Sequence, residues 1–406
     1  MLQTAPELRV TPRDLGNPGS RRTKDTISGS VPAPEGPAWD QFPASWPSCF
    51  GWIEGSKWIV EDMPGRIPQT PSVSVGDPLR YRKSSTRWIS SSKMEPFTLN
   101  LDDGGRTTGL VYLPPQRGGT QEFVPLIVCL HGGSYDAEYF DCDPEHSIAR
   151  VASALKIPVV SITRPGYGNS TNAPSQSDGD DKTYAQQQGH YLNSTVLPAV
   201  WKRYGPDSGA TAVVLLSHSI GAMMAIIAAG FHASCQGYPL AGLILSGIGS
   251  KHEAQSKAAV MGLLSSKPDM VNFDPGLKDA LMLALPQKNL TNPGMAEHTA
   301  RLNKPLPFGE VHDINVPWLG YWHRYATAIE VPVMYSIGEV DSLWVSAPDA
   351  VQEFRDAFTS SSRVEAAVLP MAPHCIELSR HSRGWLTRCC GFALECVAER
   401  ALAENP

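Results

Sequence analysis

Residue types suited to joint proton transfer stand where apolar runs end. The stretch "AVVLLSHSIGAMMAIIAAG", residues 212–230, opens with strand-like patterning and closes with helix-like patterning. Between the halves lies Ser217-His218-Ser219-Ile220-Gly221. A serine on a sharp strand-to-helix turn, with small residues two places before and after it, presents its hydroxyl for attack on an acyl carbon. Ser219 has that setting, with Ser217 where glycine is commoner and Gly221 on the other side. A serine hydroxyl is a poor nucleophile until a base takes its proton. His374, after "AAVLPMAP", is the candidate base, because an imidazole titrates near neutrality. A carboxylate must orient that ring and stabilise its cation. Two stand in "SIGEVDSLW": Asp341, whose short side chain fixes the distance well, and Glu339, its rival. The blander reading makes Ser219 a helix N-cap, a place that a nucleophile at such an elbow nearly occupies anyway.

The surrounding elements must bring these positions together. "EPFTLNLDDGGRTTGLVYLP" reads as a hairpin around Asp-Asp-Gly-Gly. Continuous apolar runs then alternate with helical periodicity: "VPLIVCL", "IPVVSIT", "AVVLLS", "LAGLILSG", "VPVMYSI" and "RVEAAVLP" are strands, with amphipathic stretches between them. This predicts an α/β fold, mainly a parallel sheet with helices on both faces. In such sheets ligands gather beyond the carboxyl ends of the strands. Those ends carry His131-Gly132-Gly133-Ser134, Arg164-Pro165-Gly166-Tyr167-Gly168, the Ser219 turn, the Asp341 loop and His374. Strand "VPVMYSI" is expected to stop at Ile337, with Gly338 opening the turn to Asp341.

Serine, acid and histidine thus lie in chain order at three strand ends. In that order and placement, with the His131-Gly-Gly and R-P-G-Y-G loops and a Ser217-x-Ser219-x-Gly221 elbow, the sequence resembles the α/β-hydrolase superfamily from about residue 95 to 400. The resemblance implies Ser219, Asp341 and His374 as a catalytic triad. It implies an oxyanion hole from the backbone N–H groups of Ile220 and Gly133, with Gly132 or Ser134 as neighbouring alternatives. His131 is expected to shape its loop, His218 to pack inside the elbow, and Arg164 and Tyr167 to hold their loop. His381 is expected on the surface of the last helix. By analogy the proline-rich chain and broad insertion are similar to fungal hydrolases of natural-product clusters, which suggests secondary metabolism.

The domain layout follows. Residues 1–37, rich in Pro, Gly, Ser and Arg, read as a disordered tail. Residues 38–94 form an extension, expected to wrap the main domain, whose first part, residues 38–65, holds four of the chain's ten tryptophans. Residues 95–250 and 330–406 are the two parts of the core. Residues 251–329 are an inserted helical lid, far longer than the dozen or so residues a crossover needs. Its apolar clusters, Met261, Leu263, Leu264, Leu281, Met282 and Leu283, and its aromatics Trp318, Tyr321 and Trp322, supply lid core and some cleft lining.

The expected function is hydrolysis of an ester, thioester or related acyl bond of a largely apolar small molecule through an acyl-serine. It invokes neither metal nor organic cofactor. Two alternatives stay open: a lyase or carbon–carbon bond hydrolase with the same triad, and a ligand-binding protein of the same fold. An epoxide or haloalkane hydrolase is disfavoured, because those families place aspartate at the elbow. A net charge of −6 with no long basic run argues against nucleic acid. No run approaches the ~18 apolar residues of a membrane span. Eight cysteines without CxxC spacing read as buried thiols in a reducing compartment, and the start lacks an apolar signal core, so the chain is expected to be cytoplasmic.

Overall fold

The structure is a computed structural model that describes residues 93–115, 123–174, 181–286 and 289–404. The expected tail and all but the last two residues of the Trp-rich extension lie outside the described residues.

Among the described residues, eight strands form the main sheet: β1 Glu95–Asn100, β2 Arg106–Tyr112, β3 Pro125–Leu130, β4 Val159–Thr163, β5 Ala212–His218, β6 Leu240–Ser246, β9 Val333–Val340 and β10 Val364–Pro373. The two-residue strands β7 Met270–Val271 and β8 Leu306–Pro307 pair apart from it. The main order is β1-β2-β4-β3-β5-β6-β9-β10. β1 and β2 form the hairpin expected from Asp-Asp-Gly-Gly, β2 joins β4 antiparallel, and every later pairing is parallel.

The continuous apolar runs are explained by two cores, one on each face. Successive residues of a strand point to opposite sides. Leu126, Val128 and Leu130 of β3 enter one core with Val213 and Leu215 of β5; Ile127 and Cys129 enter the other with Val214 and Leu216. The helices are α1 Ile148–Leu155, α2 Tyr184–Tyr191, α3 Leu197–Tyr204 and α4 Ile220–His232, then α5 Ala254–Leu264, α6 Pro275–Leu283, α7 Ala296–Leu302 and α8 Phe308–Asn315, and finally α9 Trp318–Tyr321, α10 His323–Ala326, α11 Pro348–Asp356 and α12 Ser382–Glu404. α2, α3, α4 and α11 supply the first core, and α1 and α12 the second. α4 carries buried residues almost all round, as a central helix must.

Residues 247–332, between β6 and β9, hold α5 to α10 and the β7–β8 ribbon. The expected aromatic cluster divides here. Trp318 and Trp322 are fully buried in the first core, and Trp322 stacks on Phe354 of α11 at 4.7 Å. Those two rings therefore belong to the core rather than to the cleft.

Gly338 also differs from expectation. β9 continues through it to Val340, and although Asp341 N donates to Gly338 O at 3.2 Å, closing the expected turn, the Gly338 φ is not in the left-handed region. A Cβ there would run into the backbone carbonyls of Ala372 and Pro373 on β10. Close approach of two strands, not turn geometry, requires glycine at this position.

Candidate active site

β5 delivers Ser219 to the start of α4 with φ 54° and ψ −123°, a conformation that residues with a Cβ rarely adopt. The strain persists because the turn is held on both sides. The Ser219 N–H donates to Ser246 O of β6 at 2.8 Å, and the Ser219 carbonyl accepts from Ala222 N and Met223 N. A Cβ on Gly221 would strike the carbonyls of Leu130 and His131, so strand and helix backbones pass here without room for a methyl. Ser217 is tolerated two places earlier because its hydroxyl finds a partner, donating to Ile244 O at 2.9 Å.

Ser219 stands at the N-cap of α4, yet its side chain makes no capping bond. Its Oγ lies 3.0 Å from His374 Nε2. His374, just past β10, is fully buried, and its Nδ1 lies 2.8 Å from Asp341 Oδ2. Asp341 follows β9 directly, and its Oδ1 accepts from Leu343 N at 2.8 Å and Trp344 N at 3.1 Å. The three expected residues are therefore brought into one hydrogen-bonded line. Glu339 is not part of it: its Oε2 accepts from Met371 N at 2.8 Å on the exposed edge of β10.

A narrow cleft opens over Ser219. Gly133 and Ile220 line it beside the serine. The N–H of Ile220, first residue of α4, has no intrahelical partner by helix geometry. Gly132 lies against Ser219, since a Cβ there would sit 3.1 Å from the serine Cβ. The walls are mostly apolar and include Val260, Phe273, Leu281, Leu306, Ile314 and Trp344. His252 also lines the cleft; burial and the neighbouring Lys257 pull its imidazole down to about 4.

The expected loop residues have partners that sequence reading did not reveal. His131 is buried, and its Nε2 accepts from Arg164 N at 3.0 Å. Burial, reinforced by Arg164, holds its imidazole well below the usual range. Arg164 is also buried; its guanidinium donates to His131 O at 2.7 Å and to both carboxylate oxygens of Glu310 on α8, at 2.5 and 2.9 Å. The Tyr167 hydroxyl donates to Glu310 Oε2 at 2.6 Å. The loop after β4 is thus tied to the segment inserted before β9.

A second buried polar group lies behind the Ser219–His374–Asp341 line. His218 Nδ1 is 3.0 Å from Ser246 Oγ, which donates to Glu377 Oε1 at 2.6 Å. Tyr139 and Trp385 also donate to Glu377, each at 2.8 Å. Burial raises the Glu377 carboxyl despite these donors. Burial, then the neighbouring His374, keeps the His218 ring neutral by holding its pKa well below the usual range. The signal for Glu377 was "HCIE", an acid one turn beyond His374, where a solvated position is the default expectation. His381 precedes α12 rather than lying on it and is partly buried.

Among the described residues, Cys142, Asp143 and His298 form a group with metal-ligand chemistry. Arg301 already supplies positive charge there, donating to Cys142 O at 2.8 Å and lying 3.3 Å from His298 Nδ1. Cys129, Cys142, Cys375, Cys389, Cys390 and Cys396 are buried free thiols, and Cys235 is exposed. No helix among the described residues is long and apolar enough to cross a membrane.

Among solved structures, the chain is similar to the thioesterase domain from the curacin biosynthetic pathway (17% identity, TM-score 0.45, 74% of this chain and 99% of that one). It is also similar to E-2-(acetamidomethylene)succinate hydrolase (15%, TM-score 0.49, 75% and 100%), and to a thermophilic esterase from Thermogutta terrifontis (14%, TM-score 0.48, 75% and 99%). No curated protein sequence matches the chain. The model of the alpha/beta hydrolase family matches residues 127–385, more than half of the sequence, and the chain belongs to that family.

Proposed function

We propose that the protein is a serine hydrolase that cleaves an ester, thioester or related acyl bond of a largely apolar small molecule through an acyl-Ser219 intermediate. The observation that carries this reading is the line Ser219 Oγ–His374 Nε2–Asp341, with distances of 3.0 and 2.8 Å, at the floor of an apolar cleft.

The chemistry follows from the atoms. With the His374 proton on Nδ1, toward Asp341, Nε2 presents a lone pair to the Ser219 hydroxyl. Ser219 Oγ attacks the acyl carbon while Nε2 takes its proton. Asp341, held by two backbone amides, keeps its charge turned to the imidazolium. Negative charge on the carbonyl oxygen is met by the N–H groups of Ile220 and Gly133, the first aided by the positive end of α4. The imidazolium then protonates the departing alkoxide or thiolate. A water molecule, deprotonated by His374 in turn, attacks the acyl carbon and frees Ser219. The inserted segment serves as the lid, its apolar side chains excluding bulk water and holding the acyl chain.

A fluorophosphonate probe tests the reading together with hydrolysis of p-nitrophenyl esters and acyl thioesters of varied length. The wild type is expected to label on Ser219. Ser219→Ala should lose labelling and at least ~10³-fold in rate while melting like the wild type. Near wild-type turnover in that variant would remove Ser219 as nucleophile. Ligand binding by an unlabelled wild type would favour a pure binding protein.

A further inference from the structure

We propose that Lys278, on the inserted helix α6, is a positioning residue for the oxyanion loop: its ammonium clamps Ser134 and so couples closure of the inserted segment to the donor at Gly133. The proposal rests on the reading of Gly133 as an oxyanion donor.

Lys278 is 2% exposed, rare for a lysine. Its Nζ donates to Ser134 O at 2.5 Å, Ser134 Oγ at 3.0 Å and Leu302 O at 2.9 Å, using all three protons. The Tyr135 ring centre lies 3.7 Å from the same nitrogen. All of these partners are neutral. An ammonium without a bonded carboxylate is an expensive thing to bury. A methionine would fill such a space at less cost, so this site is organised around the charge and its three bonds.

Those bonds fall on a residue that needs holding. Ser134 has φ +63°, the left-handed region that a residue with a Cβ enters only when its surroundings over-determine it. The inserted segment supplies most of that constraint. Besides the Lys278 bonds, Ser134 Oγ donates to Asn303 Oδ1 at 2.8 Å, and Ser134 O accepts from Lys304 N at 3.0 Å. The peptide direction at Gly133 depends on its neighbour, and oxyanion stabilisation falls off steeply when a donor is misplaced. A loosened clamp leaves the acyl site intact but misdirects this donor.

The clamp is also sensitive to pH. Burial pulls Lys278 down to about 7. The charged and titratable groups around it are Asp279 on its own helix, Asp136 and Lys304 from the flanking loops, and Cys375, Tyr135 and His131 on the core side. Cys375 and then the two acids oppose the downward shift and Lys304 adds to it; neither acid is bonded to Nζ. Asp136 pairs with Lys304 at 2.9 Å, and Asp279 accepts from Thr299. Above about pH 7 the amine keeps two N–H donors and one of the three bonds is lost. The unfolded chain still holds the proton up to about pH 10.4, so global stability rises with pH across that window. Turnover should fall over the same range, which separates the clamp from a general stability effect.

The test uses full-length wild type and Lys278→Met, an apolar chain of similar length. Both are followed by fluorophosphonate labelling rate, kcat and KM on a p-nitrophenyl ester, and thermal melting from about pH 6 to 9. The wild type should lose kcat on an alkaline limb starting near pH 7 while its Tm rises. At about pH 6.5 the variant should have a kcat about 10–100-fold lower, KM within about twofold, slower labelling, no alkaline limb and a Tm no lower. Wild-type kcat and limb in a folded variant would overturn the proposal. So would a flat wild-type kcat above pH 7, which decides the matter even if the variant does not fold. A wild type that neither labels nor hydrolyses would instead overturn the serine-hydrolase reading, and this inference with it.

Discussion

The Ser217 hydroxyl donates to the Ile244 carbonyl at 2.9 Å, tying the approach to the elbow on β5 to its neighbour β6. Serine therefore replaces the commoner glycine at this position without crowding the turn. Ser217→Gly should keep both fold and activity, with stability lowered by about 1 kcal/mol for the lost bond. Ser217 is fully buried, so Ser217→Leu must push strand β5 or β6 aside, at a cost of about 1–3 kcal/mol or more. Urea unfolding and ester turnover of the two variants check this. Equal stability and activity would mean that the turn is not tightly packed.

The acid can be assigned by two conservative variants. Asp341 Oδ2 contacts His374 Nδ1, whereas Glu339 Oε2 holds the backbone of exposed Met371, which has φ +54°. Asp341→Asn should lower kcat by up to ~10⁴-fold, because an amide permits the wrong imidazole tautomer. Glu339→Gln should retain most activity, since an amide oxygen still accepts from Met371 N. Turnover at saturating substrate decides between them: the reverse order would transfer the role to Glu339, and equal mild losses would move it to neither.

How far the sequence carried depended on the kind of constraint. The strands and the positions of Ser219, Asp341 and His374 were legible because each of the three stands where a continuous apolar run stops, and a parallel sheet gathers such ends on one edge. Gly338 was assigned to the turn alone because a φ-driven turn and a close strand approach demand the same residue. Trp318 and Trp322 were placed with the lid because periodicity reports an apolar face, not which partner covers it. Lys278, Glu310 and Glu377 were missed for one reason: each is a charged residue whose buried partners come from distant segments. Lys278 and Met282 do stand four apart on α6 and are both buried, which puts a lysine on an apolar stripe.

The Arg164–Glu310 pair should behave as a buried ion pair. Glu310→Gln would leave the guanidinium buried without its counter-charge and Tyr167 without its strong acceptor. The expected loss is about 3–5 kcal/mol in denaturant unfolding. Arg164→Met combined with Glu310→Leu should be less destabilised than Glu310→Gln alone, because apolar replacement of both partners removes the orphaned charge. A double variant less stable than the single would show that the bonds from Arg164 to His131 O and from Tyr167 to Glu310 outweigh the ion pair.

The last prediction concerns what enters the cleft. Its walls above Ser219 come largely from the inserted segment, through Val260 on α5, Leu281 on α6 and Ile314 on α8. Leu281 is only partly buried and so contributes more to the cleft wall than to the core. Leu281→Asp sets a carboxylate against the acyl chain without emptying the core, so Tm should change little. Each methylene placed in an apolar pocket contributes about 1–3 kcal/mol to discrimination. The variant should therefore lose at least ~10-fold in kcat/KM on medium-length acyl esters and far less on acetyl esters, whose acyl group reaches little beyond Ser219. A chain-length series of p-nitrophenyl esters measures this directly. Losses of equal size at every length, acetyl included, would take Leu281 out of the acyl site and place its effect on the catalytic residues themselves.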